Sequence, residues 1–309
     1  MDGGFLYKMS KREFKEPLIT VFTPSYNRAH TLPRTYESLK RQTDKRFLWL
    51  IVDDGSSDGT GRLVDCWIQE NNDFEIQYVY KENGGMHTAH NTAYENIHTL
   101  LNVCIDSDDY MTDNAIELIL DKWEKSGNDK VAGIMALDVY LSSGKVIGSE
   151  LPTNVEMMST DEFYQNGGVG DKKFIYRTEI INAYPAYPVF FNEKYVSLGY
   201  KYRLIAQDYK MLILNEPVCV VEYQEDGSSN TMWKEYYKNP KGFAFIRKIN
   251  MKYTRSKKRL LVENIHYVSS SLLAKNPNFI KESPKKLLTI LMIPFGFCLK
   301  ILTIKKGSI

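Results

Sequence analysis

Four cysteines are spread over 309 residues, at Cys66, Cys104, Cys219 and Cys298, with no CxxC pair and no Cys/His spacing of a zinc site. This excludes a disulfide-stapled scaffold and a structural zinc module, and a reduced, cytoplasmic setting is the simplest reading. Charge of one sign is lacking too: 40 Lys and Arg face 38 Asp and Glu, leaving +2. No broad phosphate-neutralising surface follows from that balance, so nucleic acid is not an expected partner. The glycine-rich phosphate cradles GxxxxGK[ST] and GxGxxG do not occur, which separates the chain from P-loop kinases and nicotinamide-dependent dehydrogenases.

Long apolar runs are also missing. Residues 1–17 mix Lys8, Lys11, Arg12 and Lys15 with acids and lack the apolar stretch of a signal peptide. Near the other end, Leu287–Leu299 is mostly apolar but interrupted by Pro294 and Gly296, and Lys281, Lys285, Lys286, Lys300, Lys305 and Lys306 flank it. A spanning helix needs about 20 apolar residues. Two readings of this tail stand: an interfacial anchor on an anionic leaflet, which would make the protein peripheral on the inner face of the plasma membrane, and a buried C-terminal helix.

What is present is an ordinary globular composition, 43% hydrophobic and 25% charged, with 21 Tyr whose flat faces and polar tips suit sugars and bases. Up to about Tyr140 the chain alternates apolar runs with amphipathic stretches, which predicts an α/β domain with a parallel sheet. Strands are expected at Leu18–Thr23, Phe47–Asp53, Glu75–Tyr80, Leu101–Ile105 and Val131–Tyr140. Helices are expected near Thr31–Gln42, Asp58–Asn71, His87–Thr99 and Thr112–Ser126. Ser57 or Asp58 caps the second helix, Thr112 caps the fourth and Gly127 ends it. Beyond Ser142 the pattern loosens, with a helix near Lys194–Gln207 and short strands at Met211–Leu214 and Val218–Tyr223. The expected organisation is an N-terminal extension at 1–16, one domain over 17–240 with halves 17–140 and 141–240, and a helical C-terminal region at 241–309.

In an open parallel sheet, ligands bind beyond the carboxyl ends of the strands. The loops expected there are Thr23-Pro24-Ser25-Tyr26-Asn27-Arg28, Asp53-Asp54-Gly55-Ser56-Ser57-Asp58, Lys81-Glu82-Asn83-Gly84-Gly85-Met86-His87 and Asp106-Ser107-Asp108-Asp109. Three carboxylates within four residues repel one another unless a cation or solvent separates them. Their hard oxygens suit Mg²⁺ or Mn²⁺ bridged to phosphate; a solvated acidic turn is the plain reading of such a motif alone. It is not an EF-hand, because Tyr110 and Met111 replace a ligand and the required glycine. Asp53 and Asp54 end an apolar strand, where a buried carboxylate needs a donor such as the N–H of a base; turn chemistry accounts only for Gly55–Asp58. Asn83-Gly84-Gly85 lets backbone approach an anion before a helix N-terminus. His87 and His90 lie one helical turn apart but lack a third ligand.

The runs PLITVFTPSYNR, FLWLIVDDGSSDGT, KENGGMHTAHNTA and NVCIDSDDYMTDNAI, in that order and spacing, resemble the family 2 glycosyltransferases of the GT-A fold. The match is dense over Pro17–Met135 and weaker at 174–177, 191–195 and 222–227, where it resembles a bacterial subgroup that makes cell-surface polysaccharides. The resemblance implies an inverting transferase that takes a nucleotide-diphosphate sugar, with a UDP-sugar favoured, to a hydroxyl of a glycan or lipid-linked acceptor. It implies a nucleotide-sugar site of Pro24, Tyr26, Asn27, Arg28, Asp53, Asp54, Asn83, Gly84 and Asp106. Asp54, or Asp53, would bond the base, and Asp106, Asp108 and Asp109 would hold Mn²⁺ or Mg²⁺, the split between metal and ribose being open. Met86 departs from the Lys common in relatives, and Ser197-Leu198 stand where the subgroup carries an acid. Glu193 is the expected catalytic base, Asp208 the reserve; the plain reading of Glu193 is a helix cap or a pair with Lys194. The alternative function is a catalytically inactive nucleotide-sugar-binding subunit, while a nucleotidyltransferase would want a glycine-rich loop where TPSYNR stands.

Overall fold

A computed structural model describes residues 16–222 and 232–307. The chain divides into two compact units, one of Met1–Ala186 with Lys201–Tyr223 and the other of Tyr187–Tyr200 with Gln224–Ile309. The first unit opens with β1 (Ile19–Ser25), α1 (Leu32–Lys40), β2 (Phe47–Asp53), α2 (Thr60–Gln69), β3 (Glu75–Tyr80) and α3 (Met86–Asn96). It continues through β4 (Leu101–Cys104), β5 (Tyr110–Met111), α4 (Ala115–Ser126), β6 (Val131–Tyr140) and β7 (Met157–Met158). Then come α5 (Thr160–Gln165), β8 (Lys172–Arg177), α6 (Thr178–Ala183), α7 (Gly199–Asp208), whose first two residues belong to the second unit, and β9 (Lys210–Val221).

The strands form one sheet in the order β3-β2-β1-β4-β8-β6-β9-β5, with β7 also on β9. β1 pairs in parallel with both β2 and β4, and β2 with β3, so four loops leave the same edge. β2 reads FLWLIVD and is buried throughout, as a central parallel strand covered on both faces must be. Pro33 sits in the first turn of α1, where its missing N–H costs nothing. Tyr36 of α1 stacks on Trp67 of α2 at 4.4 Å, over Trp49 and Phe74. That buried aromatic layer fixes α1 and α2 against the sheet, and with them the loops they follow.

The early elements match the expected pattern closely, and the later ones do not. β8 was not expected: it inserts antiparallel between β4 and β6. The helix expected at 194–207 begins at Gly199, and the two strands expected at 211–214 and 218–223 are one, Lys210–Val221, bent by register shifts against β6. The caps differ as well. Gly59 and Asn114, not Ser57, Asp58 or Thr112, precede α2 and α4, while Gly127 does follow α4.

The second unit is helical: α8 (Met232–Lys238), α9 (Pro240–Tyr253), α10 (Lys257–Leu273), α11 (Phe279–Glu282), α12 (Lys286–Leu291) and α13 (Ile293–Gly307). Its core gathers Ala244, Met251, Tyr267, Val268 and Phe279. Arg247 donates to Glu263 at 2.9 Å, linking α9 to α10. The segment 187–200 sits with these helices.

Candidate functional site

The loops after β1 and β2 are stitched together. Asn27 takes a positive φ of 54°, a conformation asparagine tolerates better than most residues. Its N–H donates to Ser56 Oγ at 2.8 Å and its Oδ1 accepts from the Ser57 N–H at 2.8 Å. The Arg28 N–H reaches Thr60 Oγ1 and the Ala29 N–H reaches Asp58 Oδ2. Tyr26, half exposed, stands at the mouth of the site beside Pro24 at the end of β1.

Asp53 and Asp54 are almost wholly buried. Asp53 accepts from the Ser56 N–H at 2.7 Å and from the Tyr78 hydroxyl at 2.7 Å. Asp54 accepts from Lys81 Nζ at 2.5 Å, from the Gly84 N–H at 3.0 Å and from the Gly85 N–H at 2.7 Å. Asn83 Nδ2 donates to the Asp54 carbonyl. The donors are therefore internal, and both carboxylates hold the second and third loops in place. Gly55 makes this possible. Its φ is +85°, and a Cβ there would lie 2.8 Å from the Asn83 nitrogen, so only glycine lets the two loops meet.

Gly84 and Gly85 lead into α3, whose second residue, His87, is 1% exposed and has no hydrogen-bond partner at either ring nitrogen. Burial holds its pKa down at about 4. His90, one turn on, is also sealed from water, and burial lowers it to about 3. His90 Nδ1 meets the Tyr94 hydroxyl at 3.2 Å and its Nε2 lies 3.6 Å from Cys104 Sγ, which in turn reaches Asp106 Oδ1 at 3.8 Å. A buried polar chain thus runs from α3 to the acidic loop; these imidazoles are structural.

The acidic loop follows β4, where the Asp109 N–H closes a turn on the Asp106 carbonyl at 2.9 Å. Arg34 Nη2 donates to the Asp108 carbonyl at 2.6 Å and Thr35 Oγ1 to the Asp109 carbonyl at 2.7 Å, so α1 clamps the loop. Burial and then Asp106 raise the Asp108 carboxyl above its ordinary range, against Arg28 and Arg34. Asp109 is pushed up to about 8 by burial, with Lys173 opposing and Asp106, Asp108 and Asp138 adding repulsion. The loop thus carries more carboxylate than its neighbours balance, the condition that a divalent cation relieves. Among the described residues no three His, Cys, Asp or Glu side chains already converge as a metal cage. Mg²⁺ commonly needs only one or two carboxylates, the rest coming from water and substrate phosphate, and the donor set fits that pattern.

Residues the sequence did not single out lie near the acidic loop. Lys173 of β8 and Asp138 of β6 face each other at 3.9 Å with side chains 12% and 3% exposed. Tyr202 of α7 stacks on Tyr176 at 5.4 Å and 17°. The only sequence signal for Lys173 is its place at the head of the alternating run KKFIYR.

Glu193 lies in the second unit. Its Oε1 accepts from the Lys241 N–H at 2.9 Å and its Oε2 from the Gly242 N–H at 2.8 Å, and the side chain is 8% exposed. Burial raises its pKa while those two N–H groups lower it. The carboxylate thus binds the N-terminus of α9. Asp208, in the first unit, accepts from the Tyr184 hydroxyl at 2.6 Å.

A sheet of parallel strands whose carboxyl edge carries an aspartate-rich loop, extended by antiparallel strands and followed by helices, defines the GT-A class of glycosyltransferase fold. The chain belongs to Glycosyl transferase family 2, whose sequence profile matches residues 20–181. Chondroitin synthase of Escherichia coli is 33% identical over 111 residues, 35% of this chain and 16% of that protein. Glycosyltransferase GlyG of Streptococcus pneumoniae serotype 4 is 30% identical over 117 residues, 38% of each chain. The match thus spans well under half the length of these relatives. Among solved structures, S. aureus TarS 1-349 in complex with UDP-GlcNAc superposes with a TM-score of 0.59 over 92% of this chain and 88% of that one, at 15% identity. The mannosyltransferase PcManGT from Pyrobaculum calidifontis, in complex with GDP-Man and Mn²⁺, gives 0.54 over 93% and 88%, also at 15%.

Proposed function

We propose that the chain transfers a sugar, with inversion, from a nucleoside diphosphate sugar to a hydroxyl of a glycan or lipid-linked acceptor in surface polysaccharide synthesis. A UDP-sugar is the favoured donor. The observation that carries this reading is the excess of carboxylate at Asp106, Asp108 and the buried Asp109, set on the same sheet edge as the Asp54-braced Asn83–Gly85 loop. The names of the relatives, chondroitin synthase among them, and the UDP-GlcNAc held by TarS support it.

In this reading Pro24 and Tyr26 flank the base, Asp53 or Asp54 reads its edge, and Asn27 and Arg28 close over the donor. Each carboxylate has lone pairs beyond those now used. Asn83 and Gly84 lie along the ribose and diphosphate, beside the positive end of α3. Asp106, Asp108 and Asp109 share the ribose and a divalent ion, Mn²⁺ or Mg²⁺, which when bound neutralises the diphosphate as it leaves. Arg28 and Arg34 add positive charge next to Asp108. Glu193 is the proposed base toward the acceptor hydroxyl and Asp208 the reserve. The two backbone bonds that Glu193 already accepts favour a second reading, in which the chain binds the donor without turning it over.

Titrating UDP-, GDP- and dTDP-sugars with the protein, with and without Mn²⁺, tests both readings. Metal-dependent release of nucleotide is expected from one donor class; binding without release would favour the second reading. Full sugar transfer in excess EDTA, or with Asp106 and Asp108 both changed to Ala, would end the account of the metal.

A further inference from the structure

The last two helices are folded with the sides of an ordinary surface helix exchanged. Toward the unit they present mainly small and polar groups: Thr289 of α12 and Gly296, Thr303 and Gly307 of α13 are all buried, while Met292 and Ile293, at the junction of the two helices, pack on the apolar core. A Cβ at Gly296 would lie 2.4 Å from Val268 of α10, and one at Gly307 would lie 2.6 Å from the Trp233 carbonyl of α8. These close approaches fix which face of α13 turns inward, because no large side chain fits there. Thr289 Oγ1 is held by Asn264 and Ser283, which fixes α12 likewise. The outward side is left with Leu287, Leu291, Phe295, Phe297, Ile301 and Leu302, between 48% and 79% exposed. An apolar strip of this kind signals an interaction surface.

Its charge decides what it meets. From Ser283 to Ile309 the sequence holds five lysines, Lys285, Lys286, Lys300, Lys305 and Lys306, and no Asp or Glu. Pairing this strip with a second copy of itself about a two-fold axis would set lysine against lysine. An anionic surface with an apolar interior satisfies both features at once. No described helix is long and apolar enough to cross a membrane.

We propose that the outward face of α12 and α13 docks the protein onto the surface of an anionic lipid bilayer, with the apolar side chains sunk to the acyl boundary and the lysines among the headgroups. This goes beyond the transferase reading and does not depend on it. The test is sedimentation of the full chain with extruded vesicles of phosphatidylcholine alone and of phosphatidylcholine with about one-third phosphatidylglycerol. Binding at least roughly tenfold tighter to the anionic vesicles is expected, weakening with salt. The pair Lys285→Gln and Lys305→Gln should weaken it by about 25-fold, at about fivefold per lysine. The pair Phe297→Ser and Ile301→Ser should weaken it by at least about tenfold. All four side chains are exposed, so the circular dichroism spectrum and thermal midpoint should stay as in the parent, as should nucleotide release without vesicles. Equal binding to both vesicle types, binding indifferent to Phe297→Ser with Ile301→Ser, or a dimer in vesicle-free solution that this pair dissolves would overturn the proposal. Vesicle binding by a chain that releases no nucleotide from any donor would leave it standing while the transferase reading fell.

Discussion

Lys173 and Asp138 face each other across β8 and β6, 3.9 Å apart and nearly sealed from water. The ammonium is also the positive charge that opposes the rise of the Asp109 carboxyl. Removing one member of a buried pair leaves the other uncompensated and costs about 3–5 kcal/mol. Lys173→Met should therefore lower the unfolding free energy by that order in urea titrations, and adding Asp138→Leu should recover much of the loss. A single substitution with an unchanged urea midpoint would show that the pair contributes nothing.

Asp108→Ala should leave the fold intact and abolish transfer more completely than Glu193→Gln. Proton transfer by a positioned base is worth about 10²–10⁴ in rate, whereas losing the site that neutralises a departing diphosphate forfeits several kcal/mol. Turnover and thermal midpoint measured together separate the roles of Glu193. Lower turnover at a constant midpoint supports the base, and a lower midpoint with normal turnover leaves only its hold on α9.

Acidification below pH 6.5 should draw stability from the two buried histidines, an effect that the raised Asp109 carboxyl opposes. In the unfolded chain an imidazole takes a proton near pH 6.5, but in the fold His87 resists until about 4 and His90 until about 3. At these two histidines the unfolded state thus binds more protons below pH 6.5, and their contribution to stability is fully present above that value. It is lost on the way down to about pH 4 for His87 and about pH 3 for His90, by up to about 1.4 kcal/mol per pH unit for each. Thermal melts at half-unit steps on the parent and on His90→Leu should differ in slope by the His90 contribution, the parent losing more stability between pH 6.5 and 4; parallel curves would show that His90 contributes none.

Gly55→Ala should cost about 1–3 kcal/mol, since alanine resists the positive φ found there. The clash with Asn83 would also push the third loop off Asp54. KM for the donor should rise more than kcat falls; equal effects would place the damage elsewhere.

Residues 18–140 were legible because local pattern and global fold agree in them. The unbroken apolar run of β2 can only be a buried parallel strand, and the polar loops that follow such strands fall on one edge by topology alone. β8 was not legible, because its six residues begin with two lysines, and a lysine is accepted inside a sheet only when partners far along the chain meet it. Lys172 finds the carbonyl of Ile147 and Lys173 finds Asp138. The candidate base shows the same limit. Glu193 stood out as a carboxylate among aromatics, but the amides it binds lie 48 and 49 residues later. Asp53 and Asp54 were recognised as buried acids needing donors, and the donors turned out to be the protein's own loops.

The placement of β8 bears on how the molecule is made. Because a strand from residues 172–177 separates β4 from β6, a growing chain cannot close its sheet when β6 emerges from the ribosome. Until β8 arrives, two apolar strands present naked edges, an invitation to mispairing that chaperones would have to guard. A fragment cut after Tyr140, however complete its donor-side motifs, should aggregate instead of folding.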